Sequence, residues 1–165
     1  MSIRTTSAPA PTSRSDVLAL GGFGLAVLLV AVLGGFGASG SSSTYADLDK
    51  PFFAPPSWLF GPVWTVLYVM IAVAGWLVWR QVTWDRALTV YAVQLVLNAA
   101  WTPLFFGSDR YGLALVEILL LLAAVVATIV LFWSRSRVAA LMLVPYAAWV
   151  AFATALNAGI WVLNR

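Results

Sequence analysis

The sequence predicts an all-α integral membrane protein: a bundle of five transmembrane helices with one long loop between the first and the second. Three observations predict it. Of the 165 residues, 62% are hydrophobic and 9% charged, too little charge to cover a soluble domain of this size. Five apolar runs are each long enough to cross a bilayer, which takes about 20 residues. The connections after the second, third and fourth runs are very short, so consecutive helices there are expected to be antiparallel neighbours.

Residues 1–16 are rich in Ser, Thr, Pro and Arg, lack apolar periodicity and are expected to form a disordered tail. Residues 17–165 then form a single domain. The first span, Val17–Phe36, follows Arg4 and Arg14 as a signal peptide would. Its apolar run exceeds the usual core of about 7–15 residues, so it is expected to remain as a span. The second, Pro62–Val82, opens with Pro at the first helical position, where a missing N–H costs nothing. The third, Ala87–Phe106, carries Pro103 near its end and should bend there. The fourth is Tyr111–Trp133 and the fifth Val138–Leu163. The connection near 37–61 is the only long one, and function on a membrane bundle often sits in such a loop.

Charge sets an expected orientation. Arg4, Arg14, Arg80, Arg86, Arg135 and Arg137 fall on the N-terminal side, against Lys50, Arg110 and Arg165 on the other. This bias predicts the N-terminus inside, with the C-terminus and the long loop outside. The net charge of +3 forms no basic stripe, so nucleic acid is not an expected partner; the lipid bilayer is. Cys and His are both absent. That excludes a Cys nucleophile, an imidazole base and His or Cys ligands to zinc or haem iron. No metal site, catalytic residue or required cofactor is expected.

The stretch "KPFFAPPSWLFGPVWTVLY" packs four prolines and six aromatic residues into Lys50–Tyr68. Pro51, Pro55 and Pro56 forbid regular helix and leave a stiff extended arm. Such an arm beside the mouth of a bundle can act as a lid; the alternative is packing against an interfacial belt. Trp58, Trp79, Trp84, Trp133 and Trp161 lie near span ends, as belt residues do. Trp64, Tyr68, Ile71 and Gly75 share one face of the second span. Gln94, Asn98, Trp101 and Phe105 do so on the third. Amides at that depth are either helix–helix glue or a polar anchor for a ligand. Glu117 is the one acidic residue well inside a span, and an intramembrane carboxylate is a functional hypothesis by default. On the fifth span, Ala147, Ala151, Ala155 and Gly159 form a ridge of small residues, read as helix packing. The roughly opposite face carries Trp149, Phe152, Ala153, Leu156 and Ile160, with Asn157 at its edge.

"KPFFAPPSWLFGPVWTVLY", "NAAWTPLFFG" and "PYAAWVAFATALN" resemble, in order, the three signature segments of the TspO/translocator protein family, the tryptophan-rich sensory proteins or peripheral-type benzodiazepine receptors. The likeness runs from the first span to the C-terminus. It implies a five-helix bundle, usually a homodimer, with a pocket under the first loop for tetrapyrroles such as protoporphyrin IX and haem. The matched pocket positions are Phe60, Gly61, Val63, Trp64, Tyr68, Asn98, Trp101, Leu120, Trp149, Ala153 and Leu156. Animal members also bind cholesterol and synthetic drug ligands, and they carry a cholesterol motif near the C-terminus with a Tyr shortly after the Leu-Asn pair and an Arg beyond. Here Ala158 and Val162 stand at those places. The resemblance therefore gives little support for sterol binding and points to a bacterial cell-membrane member. The leading function is a receptor, sensor or carrier for tetrapyrroles. The alternatives are a light- or oxygen-dependent porphyrin-degrading enzyme and a small-molecule exporter using Glu117. The lack of an internal repeat argues against the exporter.

Overall fold

A computed structural model of the protein describes residues 14–37, 41–82 and 84–165. The helices are α1 (Arg14–Gly37), α2 (Ser41–Asp47), α3 (Phe60–Val82), α4 (Arg86–Thr102), α5 (Tyr111–Trp133) and α6 (Arg137–Leu163). A 3₁₀ turn, Ser57–Leu59, leads into α3, and a π-helical turn, Pro103–Gly107, extends α4. All but α2 belong to segments long and apolar enough to cross a membrane. The protein is a multi-pass integral membrane protein. Most of the tail expected over residues 1–16 lies outside the described residues; α1 begins at Arg14, three residues before the predicted span.

The five long helices close into a ring. α1 packs on α3 and α4, α3 on α6, α6 on α5, and α5 on α4. The short turns around residues 108–110 and 134–136 make antiparallel neighbours of α4–α5 and α5–α6, as expected. α3 and α4 differ from the expectation: despite their short connection they barely touch, because α1 lies against both. Long side chains bridge them instead. Tyr91 Oη donates to the Ile71 carbonyl at 3.0 Å, and Tyr68 Oη to Asn98 Oδ1 at 3.0 Å. The separation leaves room for a cavity between helices.

Each turn at the N-terminal end is secured by its own side chains. Asp85 caps α4, accepting from the N–H groups of Ala87 (2.8 Å) and Leu88 (3.2 Å), as N-cap Asp commonly does. Its other oxygen takes Arg135 Nε at 2.9 Å and Nη2 at 2.6 Å, tying the α3–α4 turn to the α5–α6 turn. Trp76 Nε1 donates to the Asp16 carbonyl at 2.9 Å, and Arg80 lies over the Trp76 ring, joining α3 to the start of α1.

Burial alone would raise the Asp85 pKa. The Arg135 hydrogen bond, the N–H groups of Leu88 and Ala87, and the Arg135 charge outweigh it and hold the carboxyl below its usual range. A depressed carboxylate contributes stability above its unfolded pKa of about 3.9 and loses it as pH falls through the folded value. The melting temperature in one detergent is therefore expected to drop as pH is taken below about 4. The drop should be shallower in Asp85→Asn, which keeps the cap but forfeits the ion pair, worth about 1 kcal/mol at neutral pH. An identical acid slope in Asp85→Asn would show that another carboxylate carries it.

At the opposite end the long loop folds onto the bundle. Tyr45 of α2 is buried; its ring meets Phe60 edge-on at 5.5 Å, and its hydroxyl donates to the Pro55 carbonyl at 2.9 Å. Burial pushes the Tyr45 phenol pKa up. Lys50 Nζ donates to the carbonyls of Tyr45, Ala46 and Leu48 at 2.7–2.9 Å, closing the C-terminal end of α2, where cations are favoured. Asp49 and Asn164 form a reciprocal pair: Asp49 N–H donates to Asn164 Oδ1 (3.0 Å), and Asn164 Nδ2 to the Asp49 carbonyl (2.8 Å). Pro51 packs on Gly159, where an added Cβ would come within 3.0 Å of the ring. The proline arm thus lies across the end of α6. Of its two Phe residues, Phe52 is fully exposed, whereas Phe53 meets Phe152 at 6.2 Å.

The small-residue ridge on α6 needs correction as internal packing. Ala147 packs on the core and Gly159 on Pro51, but Ala151 and Ala155 are exposed on the outside of the chain. The ridge follows one side of a helix whose bundle contacts change along its length.

Candidate functional site

Beneath the loop lies a cavity of about 620 Å³, well within the usual range for small-molecule sites. Its walls come from every long helix. From α3, Trp64 stacks on Tyr68 with centroids 5.1 Å apart, after Phe60 has met Trp149 of α6 at 5.9 Å. The local fold explains the placement. The 3₁₀ turn after Pro56 delivers Phe60 and Gly61 to the first turn of α3, and helical spacing then lines up Trp64 and Tyr68. From α4, Trp101 stacks on Phe105 at 5.0 Å. Pro103 cannot donate a backbone hydrogen bond. It starts the wider π turn rather than a simple bend, and that turn carries Phe105 and Phe106 into the wall.

Two hydrogen-bond systems run through the walls. In the first, Tyr68 Oη donates to Asn98 Oδ1 (3.0 Å), Asn98 Nδ2 to Tyr146 Oη (2.9 Å), and Tyr146 Oη to Gln94 Oε1 (2.9 Å). This chain ties α3, α4 and α6 together. In the second, Trp101 Nε1 donates to Asn157 Oδ1 (3.1 Å), and Asn157 Nδ2 to the Tyr111 carbonyl (2.9 Å), joining α4, α6 and α5. Asn98 and Asn157 line the cavity while holding helices together, so for them glue and cavity wall coincide, whereas Gln94 lies outside the lining and acts as glue alone. None of the described residues that line the cavity carries a formal charge at neutral pH. Among the described residues no cluster of His, Cys, Asp or Glu could hold a metal.

Phe60, Gly61, Trp64, Tyr68, Asn98, Trp101, Trp149, Ala153 and Leu156 all line this one cavity. Val63 and Leu120 do not. Val63 packs against the bundle core. Leu120 is 57% exposed on the outside, because α5 turns Ile118 and Leu121 inward and one residue's step, about 100° of rotation, carries Leu120 away. Sequence reasoning missed Tyr45, Ile118, Leu121 and the α1 residues Ala31, Gly34 and Gly35 as wall. It also missed Tyr146, the fully buried hub of the first hydrogen-bond chain. The signal for Tyr146 was its spacing from Trp149, Val150 and Ala153 on α6. Glu117 is buried near this region but lies outside the cavity lining. Both its oxygens, like Gln94 Nε2, are buried without a hydrogen-bond partner among the described residues.

A ring of five membrane-spanning helices around a ligand-sized aromatic cavity, covered at one end by a tied-down loop, defines a class of small multi-pass membrane protein with an internal chamber. Residues 23–162 match the model of the TspO/MBR family, and the chain belongs to that family. It is 43% identical over 143 residues to the tryptophan-rich protein TspO of Archaeoglobus fulgidus, covering 85% of this chain and 93% of that one. It is 44% identical over 126 residues to the human translocator protein, covering 73% and 75%. To the tryptophan-rich sensory protein of Cereibacter sphaeroides it is 38% identical over 120 residues, covering 73% and 76%. Membership supports a role as a membrane receptor or sensor.

Proposed function

We propose that this protein is a tetrapyrrole receptor or carrier that takes protoporphyrin IX or haem into the cavity under the loop. One observation carries the reading: the cavity is walled by Trp64, Tyr68, Trp101, Trp149 and several Phe rings, and among the described residues no charged side chain lines it. Flat aromatic walls suit a flat, polarizable macrocycle through stacking and edge contacts, each pair worth about 0.5–1.5 kcal/mol beyond burial. The ionised edge of such a ligand would remain at the mouth, since burying an unpaired carboxylate is costly. The working form would be a homodimer in a bacterial cell membrane, with N-terminus inside and the loop outside. The exposed small residues Ala151 and Ala155 would allow close approach of a second copy.

The test is purified protein titrated with protoporphyrin IX in the dark and in light. Saturable quenching of Trp fluorescence without new absorbing products supports binding alone. Products that form in light and vanish in Trp149→Phe would instead support porphyrin breakdown. Absence of saturable quenching would overturn the tetrapyrrole reading.

Because Glu117 lies outside the cavity lining, Glu117→Gln is expected to change protoporphyrin affinity by less than about tenfold, or about 1.4 kcal/mol. A larger loss in the same titration would favour the exporter reading, in which a buried carboxylate couples to the ligand.

A further inference from the structure

The cavity is not enclosed on all sides. Gly35 of α1 and Gly61 and Thr65 of α3 line it and are also exposed, with Ala31 and Gly34 beside them. A Cβ built on Gly35 or Gly61 would meet nothing within 4 Å. Among the described residues there is thus an opening between α1 and α3, edged on the two helices by Ala31, Gly34, Gly35 and Gly61. The large exposed side chains beside it are apolar, Val32 and Phe36 on α1, Val66 on α3 and Trp58 just before α3, and the exposed polar ones in the lining, Ser57 and Thr65, are small and uncharged. Its depth follows from helix geometry. Ala31 lies six residues from the end of α1 at Gly37, or about 9 Å at 1.5 Å per residue. The opening therefore sits in the leaflet on the loop side, just beneath the headgroup zone.

The route from water is closed by comparison. To lift the loop, the Asp49–Asn164 pair, the Tyr45–Pro55 bond, the Lys50 contacts and the Pro51–Gly159 packing must all give way. The lateral route breaks none of these. It also borders the least anchored helix: 11% of the most apolar stretch of α1 is buried, against 33% in each other span.

We propose that the opening between α1 and α3 is the ligand portal, and that ligands enter sideways from the loop-side leaflet rather than from water. This rests on the cavity being the binding site. It narrows the ligands to amphiphiles already dissolved in the membrane: a flat apolar body that slides between the helices, and a polar edge that stays among the headgroups. The uncharged lining agrees, since no residue in it would draw an ionised group inward.

The chain has no Cys, so introduced thiols are unique. In liposomes preloaded with protoporphyrin IX, association is followed by Trp quenching. A bulky maleimide on Gly35→Cys is expected to slow association about tenfold or more. A disulfide between Asp49→Cys and Asn164→Cys, confirmed by mass and reversed by reductant, is expected to leave the rate unchanged. Slowing by the disulfide, or none by the maleimide, overturns the portal. A readout independent of the ligand is a nitroxide on Gly35→Cys. It should collide more with membrane-dissolved oxygen than with a water-soluble nickel chelate, and the reverse ranking also overturns the portal. If wild-type protein shows no saturable quenching, the tetrapyrrole reading fails, and the nitroxide ranking still decides the portal.

Discussion

Gly75→Ala is expected to lower the melting temperature of the purified protein, and Gly75→Leu to prevent recovery of folded protein altogether. Two effects oppose each other. Replacing a mid-helix Gly with Ala gains about 1 kcal/mol of helix propensity. Forcing a methyl group into a filled contact costs about 1–3 kcal/mol. The neighbours decide the sign. A Cβ on Gly75 would lie 2.7 Å from Tyr91 Cζ and 2.8 Å from both Tyr91 Oη and Phe23 Cδ1. All three are side-chain atoms, on two rings, so the clash is serious only if those rings are held. Tyr91 is held: it is 2% exposed, stacks on Phe132 at 5.8 Å, and spends its hydroxyl on the Ile71 carbonyl. Phe23 belongs to α1, the least buried of the spans, so relief there displaces α1 from the bundle. Adding Tyr91→Phe to Gly75→Ala removes the contact with Oη but keeps the one with Cζ, so it should restore only part of the loss. A Gly75→Ala protein that melts at or above the wild-type temperature would mean that α1 shifts without penalty.

The same residues show what a sequence can disclose. The number and type of spans were legible because a bilayer demands long uncharged runs, and no other reading of the composition survives. The cavity faces of α3, α4 and α6 were legible because polar or bulky markers recur there at helical spacing: Trp64 and Tyr68, Asn98 and Trp101, Trp149 and Asn157. α5 offered no such contrast. It is apolar all round, so lipid-facing Leu120 and cavity-facing Leu121 look alike, and only Glu117 and Thr128 mark its inward side. α2 was hidden for the opposite reason, being a short run of mostly small residues in which Tyr45 is a buried anchor. The separation of α3 from α4 depends on where α1 settles, a tertiary choice that loop length does not encode. The ridge on α6 was misread because small residues signal close approach without saying what approaches.

Ala153→Leu is expected to weaken protoporphyrin IX binding several-fold to over a hundredfold while leaving folding near normal. Ala153 lines the cavity one turn beyond Trp149 and is buried at 8% exposure. The added side chain extends into space that the proposed ligand must occupy. In the free protein that space is open, so no packed contact is displaced; in the complex the intrusion costs about 1–3 kcal/mol, the source of the expected loss. Ala151 provides the contrast. It stands two residues away and is exposed, so Ala151→Leu meets nothing within its own chain and should leave both affinity and the melting temperature of a monomer unchanged. If a second copy packs on that face, Ala151→Leu should instead shift the monomer–dimer balance, read by light scattering in the same detergent. Trp quenching and melting on the two variants therefore separate cavity from exterior. Normal affinity in Ala153→Leu would show that the ligand does not reach this depth, and a loss of affinity confined to Ala151→Leu would move the site to the outer face of α6.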